Sequence, residues 1–325
     1  MKSNFWHHYP LVKDDLIQVN QLISQKIAVK DPELEAALLQ MTNNGGKYLR
    51  PALLLLFSKG DPACPADERL LKLAASIEVL HTATLLHDDV IDDSPKRRGQ
   101  VSIQSAFGKD IAVYAGDLLF TVFFDLIAEV LYDSPYLRIN AKVMNRILNG
   151  EIRQMNARFD TEQTFLSYLR NINGKTAAIF SLACAEGAYF GQATPADVKL
   201  AKMIGQNIGL SFQMLDDILD YSDEKKLNKP VMEDLATGVY SLPLLVLLPK
   251  HRTTFAPYLE KKQALTLAEI KQVKQLVLDL GGVQQAKTLA QKFTQKALAQ
   301  VELLSPSPKQ ELLKKLIIRL LKRTY

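Results

Sequence analysis

Asp88, Asp89, Asp92 and Asp93 stand together at the end of the apolar run IEVLHTATLLH. On a helix, Asp88 and Asp92 lie one turn apart on one face, with Asp89 and Asp93 on the neighbouring stripe, so like charges repel unless a cation joins them. The device recurs in FQMLDDILD, where Asp216 and Asp220 stand one turn apart with Asp217 beside them. A lone acidic helix end is usually just solvated. Here both clusters close helices that are otherwise apolar, and cations follow each: Lys96, Arg97 and Arg98 after the first, Lys225, Lys226 and Lys229 after the second. Magnesium typically takes one or two protein carboxylates and fills its other positions with water and phosphate. The pattern therefore points to magnesium ions around a phosphorylated substrate.

A third group supplies cations without a metal. The turn Asn44-Gly45-Gly46 leads through Lys47 and Tyr48 to Arg50 and Pro51 at the start of a helix. With Arg98, Lys47 and Arg50 can cradle a second diphosphate. His81 shares one helical stripe with Asp88 and Asp92 and so faces the same place, whereas His87 falls on another face and reads as a core histidine.

These groups must be positioned by helices. Apolar residues at helical spacing run through about 12–28, 33–42, 50–58, 66–90, 110–131, 136–157, 162–171, 175–190, 196–222, 232–248, 267–278, 283–301 and 308–323. Pro and Gly punctuate the gaps, and Ser134-Pro135 and Thr194-Pro195 each offer a hydroxyl N-cap with Pro at the first helical position. The fold class is all-α, a single large helical bundle over residues 1–325 with central apolar helices around a deep cavity. The stretches 74–87, 111–124 and 203–219 are apolar on nearly every side, which predicts a central location.

Composition excludes other classes. Hydrophobic residues make up 47% of the 325 and charged residues 23%, which rules out disorder. Cys64 and Cys184 form no CxxC pair, so neither a disulfide framework nor a zinc knuckle is available. No signal peptide opens the chain and no uncharged apolar run is long enough to span a membrane, so a soluble, unprocessed, cytoplasmic protein is expected. The net charge of +5 carries no basic stripe interleaved with base-reading residues, which argues against nucleic acid. The densest basic stretch, Lys309 to Arg323, reads as a solvated amphipathic helix packed by Leu312, Leu316, Ile317 and Leu320, with peripheral lipid contact as the alternative.

Taken together, GGKYLRP at 45–51, HTATLLHDDVIDDSPKRRG at 81–99, NGKTA at 173–177, FQMLDDILD at 212–220 and KPVMEDLATGVYSLPLL at 229–245 resemble the motifs of the trans-polyprenyl diphosphate synthases, in the family's order. The resemblance spans most of the chain and implies an all-α prenyltransferase with two D-D-x-x-D motifs on facing helices. In that family an allylic diphosphate ionises and is attacked repeatedly by isopentenyl diphosphate. Carried onto this sequence, it implies that Asp88, Asp92 and Asp216 ligate magnesium, about three ions per site, with Asp89, Asp217 and Asp220 in support. It implies that Lys47, Arg50, His81 and Arg98 bind isopentenyl diphosphate and that Arg97, Lys175 and Lys229 grip the allylic diphosphate. Thr176 and Gln213 would complete the polar rim, and Glu151 and Gln154 match a pattern near the metals. Val239 stands where the family carries a lysine, and Met232 where it carries a glycine.

A product growing along the helix turns before Asp88 passes Ala83 and Thr84, where short-chain members place bulky aromatics. Small side chains there leave the path open, which predicts a product of roughly thirty to forty carbons, such as a quinone side-chain precursor. Ile77 and Leu80 lie deeper, and Phe120, Phe123 and Phe124 are candidates for the floor. The resemblance also implies a homodimer. The alternatives are the catalytic subunit of a heteromeric synthase with a small regulatory partner, and a class I terpene cyclase. Lys47, Arg50 and His81 disfavour the cyclase, which has no use for an isopentenyl diphosphate site.

Overall fold

The computed structural model describes residues 6, 9–45, 47–59, 65–97, 99–221, 232–305 and 308–321. Among the described residues there are fifteen α-helices: α1 (Pro10–Lys26), α2 (Pro32–Gly45), α3 (Leu49–Ser58), α4 (Glu68–Ile91), α5 (Ile103–Phe107), α6 (Lys109–Leu131), α7 (Pro135–Asn156), α8 (Phe165–Phe190), α9 (Pro195–Leu219), α10 (Glu233–Ala236), α11 (Leu242–Leu245), α12 (Leu248–Leu259), α13 (Leu267–Asp279), α14 (Gly282–Val301) and α15 (Pro308–Leu321). A two-stranded antiparallel hairpin, β1 (Lys96–Arg97) and β2 (Gln100–Val101), interrupts them. The all-α reading holds. The hairpin and α5 are too short to leave a periodic signal.

Helix starts follow the sequence. Asp67 caps α4 by accepting from the Leu70 N–H at 2.8 Å, the Thr194 hydroxyl accepts from Asp197 N–H at 3.2 Å, and the Ser134 hydroxyl from Tyr136 N–H at 3.2 Å. Each cap satisfies a backbone donor that the first turn leaves open.

Two differences from the periodicity have physical causes. The sequence predicts two helices where α8 runs unbroken through Asn173 and Gly174. Gly174 is a crossing point: a Cβ there would lie 3.1 Å from the Arg153 guanidinium and 3.3 Å from the Arg146 carbonyl, and one on Gly150 would lie 3.1 Å from the Lys175 nitrogen. Both glycines let backbones meet. The second difference is 232–248, predicted as one helix and found as α10, α11 and the start of α12. Gly238 breaks it with φ +83, and a Cβ there would meet the Phe159 ring at 2.6 Å, while Phe159 N–H donates to the Gly238 carbonyl at 2.8 Å. The rest of α12, with Pro257 inside it, escapes the periodicity altogether.

Contacts divide the chain into two compact units. The first comprises residues 1–142, 179–203 and 304–313, and the second residues 143–178, 204–303 and 314–325. In the first, every residue of α3 is buried, as are 73–80 on α4 and Val12, Leu16, Val19 and Ile23 on α1. In the second, Met214, Ile218, Leu242, Leu244, Phe255, Val273, Val277 and Ala286 form one core. Helix α6 corrects the expectation that 111–124 is fully central. Ala112, Ala115, Leu119 and Phe123 are buried against α4, but Ile111, Val113, Tyr114 and Phe124 are exposed. This helix is long and apolar enough to cross a membrane, with mean hydropathy 1.8, and 44% of that window is buried, as in a core helix. Cys184 is buried and unbridged, and Cys64 lies outside the described residues.

The first unit also buries a carboxyl group. Glu186 is fully inaccessible, and its Oε1 accepts from Asn140 Nδ2 at 2.8 Å. The Tyr136 hydroxyl donates to the Ala185 carbonyl at 3.1 Å. Glu186 Oε2 and Asn140 Oδ1 are both buried acceptors that receive no hydrogen bond from the described residues. Burial pushes the Glu186 carboxyl up to about 8, with the Asn140 bond opposing.

Candidate active site

In the first unit, the apolar body of α4 carries the first aspartate motif to the helix end. Asp92 is the C-cap, and its N–H still bonds the Asp88 carbonyl at 2.8 Å, so Asp88 and Asp92 remain one turn apart. Asp93 then turns left-handed, φ +52, and Ser94 N–H returns to the Asp89 carbonyl at 2.9 Å. That reversal sets up the hairpin, whose Arg97 reaches back to Asp89: Nε donates to Oδ1 at 2.7 Å and Nη2 meets the same oxygen. Asp89 is 1% exposed, and its Oδ2 receives no hydrogen bond from the described residues. Burial raises the Asp89 carboxyl above its usual range, against the pull of Arg97. Burial works against the Arg97 charge, but the bond to Asp89 together with the negative charges of Asp89, Asp88 and Asp92 outweighs it and holds the guanidinium above its ordinary value. Asp88 is half-buried and Asp92 exposed.

The other first-unit candidates divide by burial. Lys47 is exposed, whereas the Arg50 guanidinium is buried over the Phe180 ring, 4.5 Å from its centroid. His81 is half-buried, and its carbonyl accepts from the Thr84 hydroxyl at 2.8 Å. Ala83 and Phe123 are fully buried. Phe120 stacks obliquely on His87 at 5.3 Å between centroids, and His87 also meets Asp117 at 3.2 Å. Phe124 is 47% exposed and lies edge-on to Phe123. Arg98 lies outside the described residues.

In the second unit, the last turns of α9 carry the second motif. Asp217 turns inward: Oδ2 accepts from the Tyr168 hydroxyl at 2.7 Å and the Leu242 N–H at 3.1 Å, and Oδ1 accepts from Gln213 Nε2 at 3.0 Å. Gln213 Oε1 in turn accepts from the Thr176 hydroxyl at 2.6 Å. Burial pushes the Asp217 carboxyl up to about 6, tempered by these donors. Asp220 is buried and Asp216 half-buried. The Ser241 hydroxyl donates to the Tyr221 hydroxyl at 3.2 Å, so α11 is tied to the motif twice. Lys175 pairs with Glu151 at 2.8 Å, both partly buried, and Gln154 is half-buried. Val239 N–H donates to the Asp234 carbonyl at 2.7 Å. Lys225, Lys226 and Lys229 lie outside the described residues.

Both motifs therefore share one design: the second aspartate is buried among protein donors while the first stays more open. The family resemblance groups Thr176 and Gln213 with the second motif, and the structure brings them together with Asp217, but that reading misses Tyr168, which meets Asp217 only through the fold.

Residues 31–278 match the model of the polyprenyl synthetase family. The chain is 33% identical to the chloroplastic solanesyl-diphosphate synthase 2 of Oryza sativa subsp. japonica over 91% of this chain and 74% of that protein. It is 31% identical to heptaprenyl diphosphate synthase component 2 of Geobacillus stearothermophilus over 98% of each. A crystal structure of geranylgeranyl pyrophosphate synthase from Lactobacillus brevis superposes with a TM-score of 0.91 and 41% identity, covering 98% of this chain and 99% of that one. With the matched model spanning most of the sequence and both aspartate motifs inside it, the chain belongs to the polyprenyl synthetase family, the prenyltransferases of isoprenoid biosynthesis.

Proposed function

We propose that this protein condenses an allylic diphosphate, such as farnesyl diphosphate, with successive isopentenyl diphosphates to give an all-trans polyprenyl diphosphate of roughly thirty to forty carbons for a quinone side chain. The observation that carries this reading is the pair of aspartate motifs, each with its second carboxylate anchored in protein. Family membership supports it, as do the solanesyl and heptaprenyl synthases among the relatives. The matched span draws on both units, which favours reading 1–325 as one catalytic domain.

Magnesium fits the donor set. Among the described residues no three acidic, histidine or thiol groups converge to enclose a metal, and magnesium needs only one or two protein carboxylates with water and phosphate completing its shell. Asp88, Asp92 and Asp216 are the proposed ligands, about three ions in all. The chemistry magnesium supplies when bound is neutralisation of charge developing on the leaving diphosphate. Asp89 holds Arg97, and Glu151 holds Lys175, so each cation meets the allylic diphosphate from a fixed position rather than a floating one. Lys47, Arg50 and His81 are assigned to isopentenyl diphosphate, with Arg98. Lys229 joins the allylic side, and Asp220, Thr176 and Gln213 support it. Apolar walls such as Ala83 and Leu80 keep water from the allylic cation.

In the chain-length reading Ala83 and Thr84 line the product path, and Phe120, Phe123 and Phe124 are the candidates for its floor. A shorter product is the second reading, favoured by the likeness to a geranylgeranyl pyrophosphate synthase. The exposed apolar face of α6 supports a homodimer, because contiguous apolar surface marks an interaction site. Likeness to a heptaprenyl synthase component 2 supports the heteromeric alternative with a small partner. A cytoplasmic location accords with the unbridged, buried Cys184. The apolar face of α15, Leu313, Leu316, Ile317 and Leu320, is buried, so any contact with a membrane would fall to its basic residues.

The test is incubation of the purified chain with farnesyl diphosphate, labelled isopentenyl diphosphate and magnesium, followed by chromatography of the dephosphorylated products. Labelled polyprenol establishes the synthase and reads its length. Label that appears only when lysate is added establishes the partner-dependent form, and none in either assay refutes the proposal.

A further inference from the structure

The turn that carries Lys47 and Arg50 is braced from the far N-terminal end of the described chain. Trp6 is completely buried, and its indole N–H donates to the Lys47 carbonyl. The indole packs edge-on against Tyr9 at 5.3 Å, and Tyr9 N–H donates to the Trp6 carbonyl at 2.9 Å, so the start of α1 holds the ring in place. One residue beyond Lys47, Tyr48 has a left-handed backbone, φ +49. Bulky residues rarely adopt that conformation, and they keep it only where the surroundings over-determine it. Those surroundings are present. Tyr48 is 1% exposed, its hydroxyl donates to the Thr42 carbonyl at 3.1 Å, and it accepts from Asn20 Nδ2 at 2.7 Å. Asn20 Nδ2 also bonds Asn43 Oδ1. Past the turn, Ala52 N–H returns to the Tyr48 carbonyl at 3.0 Å and α3 begins, with Arg50 fixed over Phe180.

The peptide between Lys47 and Tyr48 is thus clamped on both sides, its oxygen by Trp6 and its following residue by a buried hydroxyl. Its orientation decides the direction in which the exposed Lys47 side chain leaves the backbone. Resting on the assignment of Lys47 and Arg50 to isopentenyl diphosphate, we infer that Trp6 and Tyr48 are positioning residues for that substrate: they hold the Lys47–Tyr48 peptide in the strained turn that aims the Lys47 ammonium.

Trp6→Phe keeps an aromatic ring and removes the donor, and Tyr48→Phe removes only the hydroxyl. Initial rates are measured in the assembly that makes polyprenol, varying isopentenyl diphosphate at saturating farnesyl diphosphate and the reverse, with Lys47→Ala alongside. A single hydrogen bond of ordinary strength corresponds to a change of about three- to tenfold. Each Phe variant should raise the KM for isopentenyl diphosphate by that factor, leaving kcat and the KM for farnesyl diphosphate within about twofold. Combining Trp6→Phe with Lys47→Ala should raise that KM no further than Lys47→Ala alone, because Trp6 acts through Lys47. If Lys47→Ala raises the KM and the Phe variants do not, the positioning role is refuted. If Lys47→Ala itself changes nothing, the substrate assignment of Lys47 is what fails. Equal increases in both KM values together with a lowered Tm would mean general loosening and would also overturn the inference. Should Trp6→Phe not fold, the same split is read from Tyr48→Phe alone.

Discussion

Replacing Glu186 by Gln should stabilise this protein, by an amount that grows with pH. The folded carboxyl titrates near 8 against 4.5 for an unperturbed glutamate. Between those two values the unfolded chain has released the proton while the folded chain retains it. The folded state therefore binds more protons, and stability falls as pH rises from about 4.5 to about 8, then levels off. At about 1.4 kcal/mol per unit, the loss is about 3 kcal/mol at pH 7 and about 5 kcal/mol above pH 9. Gln cannot ionise, and its side-chain carbonyl can accept from Asn140 Nδ2 as the carboxyl does. With an unfolding entropy of about 2 cal/mol/K per residue, 3 kcal/mol corresponds to a Tm shift of roughly 4 °C. Thermal unfolding of both proteins, followed by circular dichroism at about pH 5, 7 and 9, isolates the Glu186 contribution, because every other titrating group is common to the pair. The two curves should nearly coincide at the acid end and separate steadily above it. A difference that does not vary with pH, or a variant that is less stable throughout, would mean that Glu186 is ionised and well partnered in the fold.

Asp88→Ala and Asp216→Ala should each lower polyprenol formation by about a thousandfold or more with little change in Tm, measured by label incorporation. Tyr168→Phe removes one of three donors to Asp217 and should lower stability by about 1–2 kcal/mol in urea unfolding, since it leaves a buried carboxylate short of a partner. Gly238→Ala forces a side chain into a left-handed backbone and against the Phe159 ring. A loss of about 1–3 kcal/mol in the same assay is expected. Ala83→Phe should shorten the product, whereas Phe123→Ala should lengthen it. Unchanged chromatographic length in both would remove these residues from the product path.

Much of the candidate site is legible because its residues lie close together in sequence. The aspartates of each motif lie within one or two helical turns, so spacing alone shows which of them share a face. Their burial is another matter. That Asp89 and Asp217 turn inward depends on Arg97, Tyr168 and the Leu242 N–H, brought by a hairpin and by distant elements that no periodicity connects. Helix positions followed apolar spacing well where the partner surface is a side-chain surface, as on α4 and α14. They failed where backbone meets backbone, at Gly150 and Gly174, and where a positive φ breaks the run, at Gly238. In a local reading a glycine looks like a breaker, and only the neighbouring helix shows that it is a point of contact. The exposed face of α6 was hidden for the converse reason. A helix apolar all round is equally consistent with a core and with a surface awaiting a partner.

The glycine crossing between α7 and α8 also acts as a fulcrum. Side-chain packing can slide by swapping rotamers, but two backbones in contact have no such adjustment. The next residue after Gly174 is Lys175, and the residue after Gly150 is its partner Glu151. The ion pair therefore hangs immediately beside the pivot, where a lever arm is shortest and thermal swing of either helix is translated into the least displacement. A methyl group at either glycine would prise the helices apart at that very point. The resulting shift, on the order of an ångström at an ammonium proposed to grip diphosphate, is the scale of misplacement that costs about a hundredfold in rate.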